Sequence, residues 1–342
     1  MRWDNLRLDV QPRDGRVTLP LFEQGAVVRT FDTPEFRGMT FYEIRAKSII
    51  NRVPEASYVP FRFTINPYRG CGMSCVYCFA RKTHTYLDFD YGKGWDTQVV
   101  VKVNAPELLR KELAAKRWRG EHIAMGTNVD PYQRAEGRYK LMRGILEGMR
   151  DFENPFSILT KGTLILRDID LLRQCAEVAD VGTNFSVGCV DREYWRAIEP
   201  GTPSPERRLD AVRKLNEAGI PCGVLMAPII PFISDTDEMM ERTVKAIADS
   251  GATHISPIVL HLRKGGAREW WMTWLQEQRP DLVPRYRELY EDRAYSPKEF
   301  QKEIADKVHS LARRFGIGRT ASPSNARRIA ETPPEPEQLQ LA

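Results

Sequence analysis

The sequence contains no apolar run near the ~18 residues needed to span a bilayer, and Met1-Arg2-Trp3-Asp4-Asn5 opens it without a signal-peptide pattern. A membrane span and a membrane partner are therefore not expected, and the chain reads as cytoplasmic. Cysteine is scarce: six in 342 residues cannot make a disulfide scaffold. A formal charge of +5, with 42% hydrophobic and 28% charged residues, is ordinary for a globular protein. The length suits one large α/β-barrel domain as well as two smaller ones.

Half of the few cysteines are crowded together. Cys71-Gly72-Met73-Ser74-Cys75-Val76-Tyr77-Cys78 is entered from Asn66-Pro67-Tyr68-Arg69-Gly70 and left through Phe79-Ala80-Arg81. Three thiols spaced three and then two apart can turn around one inorganic centre. A closed structural zinc site wants four ligands, and this loop lacks a fourth; His84 or a distant cysteine would have to supply it. If neither does, a four-iron cluster held here keeps one iron open to a small exogenous ligand, the mark of a site that does chemistry. Ferredoxin-type carriers run with two-residue gaps and a cysteine-proline exit, whereas the first gap here is three and the exit is Phe79-Ala80-Arg81.

From Phe61 onward, short apolar runs alternate with helical patterns. The runs are 61–65, 122–126, 156–160, 181–187, 222–227 and 254–259, with 98–103 a seventh candidate for an added edge strand. Strands alternating with helices argue for parallel βα units. The fold class expected is α/β, an open partial (β/α)6 barrel with an N-terminal extension and C-terminal helices. Its divisions are 1–55, an extension with short strand candidates at 6–10 and 26–30; 56–262, the barrel; 263–318, a helical region; and 319–342, a proline-bearing tail without apolar period, expected to be disordered. Helix starts are signalled by Asn104 before Ala105-Pro106-Glu107, by Ser204-Pro205, and by a capping box at Ser296-Pro297-Lys298-Glu299. Gly219 and Gly251 fall where helices should stop.

In such folds ligands gather at the carboxyl ends of the strands. Thr127, Asn128 and Asp130 follow the second strand, Lys161 the third, and Asn184 and Ser186 end the fourth. Each has a plainer reading. Asp130-Pro131 makes a good turn, a strand-end serine often bonds neighbouring backbone, and Lys161 at a helix entrance is unfavourable unless an anion offsets it. Cys175 and Cys222 read as small core residues. Cys189 reads as packing or as a cavity thiol, and His261 as a satisfied buried histidine or a cavity residue. Trp270 and Trp274 share a helix face and read as core or lid. Between 301 and 328, Lys302, Lys307, Arg313, Arg314, Arg319, Arg327 and Arg328 outnumber Glu303 and Asp306, which makes either a phosphate-facing surface or a solvated helix face.

The C-x3-C-x2-C loop, with Tyr77 before its last cysteine, resembles that of the radical SAM superfamily. With Asn66-Pro67-Tyr68-Arg69-Gly70-Cys71, Gly126-Thr127-Asn128-Val129-Asp130-Pro131-Tyr132-Gln133, Thr160-Lys161 and Glu199-Pro200-Gly201-Thr202, the chain is similar to the spore-photoproduct-lyase-related branch. The resemblance implies a [4Fe-4S] cluster on Cys71, Cys75 and Cys78. It implies S-adenosylmethionine on the open iron, cleaved to a 5′-deoxyadenosyl radical that abstracts hydrogen from a substrate, in a lyase- or transferase-like enzyme. It makes Tyr77 and Lys161 cofactor contacts, to which the strand-end rule adds Thr127, Asp130, Asn184 and Ser186, with a flavodoxin or ferredoxin the electron donor and nucleic acid a candidate substrate. Spore photoproduct lyases return hydrogen from a cysteine at the end of the second strand, where this chain has Gly126-Thr127, which argues against repair by the same route. Two other classes stay open on the residues alone: a zinc-containing nucleic-acid-binding protein and an iron–sulfur electron carrier.

Overall fold

The structure, a computed structural model, describes residues 6–7, 26–55, 57 and 59–318. The chain begins with β1 (Leu6–Arg7), β2 (Val27–Thr30), β3 (Thr40–Ala46) and β4 (Ile50–Arg52). There follow β5 (Phe63–Ile65), β6 (Tyr68–Arg69), β7 (Gln98–Lys102), β8 (Ile123–Met125), β9 (Phe156–Thr160), β10 (Val181–Ser186), β11 (Cys222–Ile229) and β12 (Ile255–Val259). The larger sheet runs β12-β11-β10-β9-β8-β5-β4. Its six strands from β5 to β12 are parallel and lie in chain order; β4 adds an antiparallel edge on β5. These six are the six apolar runs, and helices cover the crossovers between them as parallel strands require. In the crossover from β8 to β9, helix Leu141–Asp151 buries Leu141, Met142, Ile145, Leu146 and Met149 on one stripe. β12 and β4 remain the two edges, so the fold is the open partial barrel expected.

The seventh candidate corrects the reading. β7 is not an edge of the barrel sheet but a central strand of a second sheet, ordered β1-β3-β7-β6 with β2 on β3. Val99, Val100 and Val101 are all buried. Val99 and Val101 face the main core, while Val100 faces a separate cluster of Tyr42, Ile44, Leu87 and Phe89. A strand apolar on both faces is stable only between neighbours, and β3, parallel to it, supplies one. Of the two early strand candidates, β1 is the described part of 6–10, and β2 occupies 27–30.

Two helix starts are also built differently. Asn104 makes no cap; its side chain pairs with both backbone groups of Ala46, accepting from the N–H at 2.8 Å and donating to the carbonyl at 2.9 Å. The box at Ser296 does not form because the last helix begins after Pro297, and Gln301 instead reaches the Ser296 carbonyl at 2.7 Å. Ser204 does cap its helix, and Gly219 and Gly251 take positive φ at helix ends. Helix Lys298–Arg314 packs on β12 and on helix Asp237–Asp249. Three of its basic residues are paired, Lys302 with Asp306, Lys307 with Glu303 and Asp237, and Arg314 with Glu241, while Arg313 is exposed with no ion pair among the described residues. Arg319, Arg327, Arg328 and the tail 319–342 lie outside the described residues. No described helix is long and apolar enough to cross a membrane.

Candidate active site

The three-cysteine loop leaves β6 at the carboxyl end of β5 and is made of two tight turns, with Ser74 N–H donating to Cys71 O and Cys78 N–H to Cys75 O. Gly70 takes φ +81°, and a Cβ there would stand 2.2 Å from the Gln98 carbonyl, so the entry admits only glycine. Motifs distant in sequence grip the loop from outside. Gln133, fully buried, donates to Gly70 O at 2.9 Å and accepts from Gly72 N–H at 3.2 Å. Gly201 N–H donates to Met73 O, and Val76 N–H to Ile198 O. Arg81, also fully buried, donates to Cys75 O at 3.0 Å and Gly92 O at 2.7 Å, pairs with Asp96 at 2.9 Å, and lies 4.8 Å from the Trp270 ring.

The loop floors a cavity of about 200 Å³ at the carboxyl ends of the parallel strands. Cys71, Cys75 and Cys78 line it, as do Tyr77, Asn128, Asp130, Lys161 and Ser186; Leu225, Ala227, Ile258, Leu260 and His261 close the far side. Among the described residues no three His, Cys, Asp or Glu side chains converge enough to hold a single metal ion. The three thiols line one cavity. A tetrahedral zinc would need its sulfurs ~4 Å apart, whereas each thiolate of a four-iron cluster binds its own iron. Burial pushes the Cys75 thiol up to about 12 and raises Cys71 and Cys78 as well.

Each remaining sequence candidate has a definite place. Tyr77 lines the cavity, and its hydroxyl donates to Glu199; Glu199 pairs with Arg208 at 2.5 Å, and Arg208 donates to Ser186 O at 2.7 Å. Burial would lift the Glu199 carboxyl, but Arg208 and Lys161 hold it below the usual range. Ser186 Oγ donates to Ala227 O at 2.7 Å, the backbone partner its plainer reading foresees, and still lines the cavity. Asp130 combines its two readings similarly: its carboxylate accepts from Thr160 Oγ1, Lys161 N–H and Tyr132 N–H, and burial raises its pKa against those bonds. The Lys161 ammonium lies 5.7 Å from the Tyr77 ring and has no ion-pair partner among the described residues. Thr127 is not among the lining residues. Neither is Asn184, two positions before Ser186 on the same strand face, although its Oδ1 is buried without a partner.

His84 is not among the residues lining the cavity. It is boxed by Trp95 and Phe89, and burial pushes it down to about 4. Cys189 is buried off the cavity, accepting from Asp191 N–H. His261 does line the cavity, packed between Phe79 and Tyr295, and burial followed by Arg263 repulsion takes it to about 4. Roles for Gln133, Arg81, Glu199 and Arg208 were not read from sequence. Gln133 and Glu199 stand inside quoted motifs, and Arg208 interrupts the apolar stripe Pro205, Leu209, Val212, Leu215 of its helix; a cation in a buried stripe is a signal for a buried anion.

A family model described as the radical SAM superfamily matches residues 65–247. An uncharacterized protein of Mycobacterium tuberculosis is 42% identical over 98% of this chain and 97% of its own length. An uncharacterized protein of Methanocaldococcus jannaschii is 37% identical over 59% of this chain and 72% of its own. Among solved structures, spore photoproduct lyase complexed with dinucleoside spore photoproduct superposes with a TM-score of 0.60 at 19% identity, covering 77% of each chain. A variant of that lyase with bound AdoMet and dinucleoside spore photoproduct gives 0.58 at 19%, again over 77% of each. At that identity the likeness concerns the fold.

Proposed function

The chain belongs to the radical SAM superfamily, whose enzymes use a [4Fe-4S] cluster and S-adenosylmethionine, and on that premise we propose that Cys71, Cys75 and Cys78 hold the cluster in this cavity. The observation that supports the assignment is that the three thiols line one cavity from a loop held by Gln133 and Arg81. His84, boxed by Trp95 and Phe89 and not among the residues lining the cavity, does not offer the fourth ligand that a closed zinc site wants. When bound, the pair supplies a 5′-deoxyadenosyl radical able to abstract hydrogen.

The protein's own residues do the rest. Lys161 brings an unmatched positive charge beside Tyr77, suited to the cofactor's carboxylate. Tyr77, locked by Glu199 and Arg208, offers a ring face to a planar base. Asn184 Oδ1, lacking a partner, is suited to an N–H or hydroxyl. Asp130 fixes the β8 and β9 ends against each other, with Thr127 beside it on the loop. The apolar wall of Leu225, Ala227, Ile258 and Leu260 excludes water from the reacting carbon. Nucleic acid is the substrate class suggested by the fold shared with spore photoproduct lyase, and a lyase-type outcome is the reaction type. Such a cluster requires a reducing compartment, which fits the cytoplasm, and an electron donor.

Anaerobic reconstitution with iron and sulfide, followed by electron paramagnetic resonance of the reduced protein with and without S-adenosylmethionine, tests this reading. A cluster signal that shifts on adding the cofactor and is lost in Cys75→Ala is the expected result. Zinc in place of iron, or a signal indifferent to the cofactor, sinks it.

A further inference from the structure

The far wall of the cavity is joined to the start of the last helix. His261, on that wall, forms an antiparallel bridge with Tyr295, and the two rings stack with centroids 5.4 Å apart and planes at 27°. Arg263 donates to the Tyr295 hydroxyl at 3.2 Å. Tyr295 is 48% exposed, and Ile258, also on the cavity wall, is 40% exposed. Among the described residues only six large hydrophobic side chains are exposed, and these are two of them. An open ring backed by a second ring is a stacking face for a planar group.

Tyr295 leads into helix Lys298–Arg314, and with Ser296 it lines a groove at the helix start together with Arg293, Lys298, Glu299 and Gln301. No side chain caps this helix, so the N–H groups of Lys298, Glu299 and Phe300 have no intrahelical acceptor. Other helices here also start without a cap; Ser296 distinguishes this one. It is 4% exposed, and its hydroxyl is the only one among the described residues that is buried without a hydrogen-bond partner. A phosphate accepts from a hydroxyl and from helix N–H groups together, at the positive end of the helix dipole, and so satisfies both sets of donors. Lys298, exposed beside them, adds charge of the right sign; Glu299, also exposed, opposes it, and Arg293 is matched by Glu291 at 3.2 Å.

Resting on the nucleic-acid reading above, we propose that this strip binds one nucleotide of a single-stranded substrate, its phosphate on Ser296 and the helix start and its base on Tyr295. The test is fluorescence anisotropy with the reconstituted full-length protein and a short fluorescein-labelled oligothymidylate, alongside the same oligomer with uncharged methylphosphonate linkages. Wild type is expected to bind the charged oligomer more tightly. Ser296→Ala should lose roughly tenfold in affinity for the charged oligomer and little for the uncharged one. Tyr295→Ala should lose roughly tenfold for both, and Glu299→Gln should bind the charged oligomer about two- to fivefold more tightly. The cluster signal and its response to S-adenosylmethionine should be unchanged in all three variants, which shows the fold and the cofactor side to be intact. Wild-type affinity for the charged oligomer in both Ser296→Ala and Tyr295→Ala overturns the subsite and leaves the nucleic-acid reading standing. Equal losses for the two oligomers in Ser296→Ala overturn the phosphate site. A wild-type protein that binds neither oligomer refutes the nucleic-acid reading, and the subsite with it.

Discussion

Replacing Gln133 by leucine separates the scaffold of the loop from its thiols. The side chain makes two bonds to backbone, Gly70 O at 2.9 Å and Gly72 N–H at 3.2 Å, in a fully buried position. Leucine fills similar space but leaves a buried acceptor and a buried donor unmatched. At about 1–3 kcal/mol for each orphaned group, the loss is about 4 kcal/mol, read as a lower denaturant midpoint at unchanged slope. Because both groups flank Cys71, iron uptake on reconstitution should fall as well, although no thiol has been touched.

Gln133→Glu sharpens the test. A carboxylate can still accept from Gly72 N–H but cannot donate to Gly70 O, whereas a carboxylic acid can do both. Its folded pKa should therefore lie above the unfolded value of ~4.3. The stability it contributes is present below that unfolded value and lost as pH rises through the folded one. Urea titrations at several pH values should show this variant approaching wild type in acid and falling away toward neutrality. A leucine variant within about 1 kcal/mol of wild type with full iron content, or a glutamate penalty independent of pH, would refute the argument that Gln133 sets the loop.

Lys161→Met should weaken S-adenosylmethionine binding roughly tenfold or more, the loss of about one charge-assisted hydrogen bond. The cofactor-free cluster spectrum should not change, and a titration monitored by that spectrum decides it. Gly126 takes φ +84°, and a Cβ there would stand 1.8 Å from Leu159 O, whereas Gly120, at φ +72°, has nothing within 4 Å. Gly120→Ala should cost only the ~1–2 kcal/mol of a left-handed residue, and Gly126→Ala clearly more, by thermal unfolding; equal costs would mean that β8 and β9 can move apart freely. His84 and His261, both near 4 when folded against ~6.5 unfolded, bind fewer protons folded than unfolded in that interval. Stability should thus be full above pH ~6.5 and fall by about 3 kcal/mol per histidine toward pH ~4. His84→Phe should flatten that slope, and an unaltered slope would show that His84 is not held neutral.

The parts legible in the sequence are those whose cause is local. A parallel strand covered by helices on its face is apolar throughout, so β8 to β12 announce themselves as short apolar runs bounded by turns, misjudged only at their ends. β11 runs on to Ile229 through a shift in its register with β12, which no count of apolar residues would foresee. The second sheet is a different matter. β3 and β7 pair across nearly 60 residues, Thr40 opposite Gln98, and the strand propensity of each alone is weak and context-dependent. Asn104 misleads for the same reason: a cap within its own helix and a bond to Ala46, 58 residues away, look identical in sequence.

The site divides along the same line. The thiols are legible because a short chelating loop must carry its ligands close together in sequence. What orients them is not: Gln133 lies 61 residues from Gly72 and Glu199 122 from Tyr77, and a hydrogen bond across such distances leaves no periodicity to read. The one exception is Arg208, whose charge within an apolar stripe demands a buried anion, and Glu199 is that anion. The pair is fully buried and serves both Tyr77 and Ser186, so its two halves should not be independent. Removing either alone strands the other's charge at about 3–5 kcal/mol. Arg208→Met with Glu199→Gln should lose less than the sum of the single variants in a double-mutant cycle, because no charge is then left buried. Strict additivity would mean that the two groups do not share one charge balance. Tyr77 would then owe its position to packing, not to the ion pair beneath it.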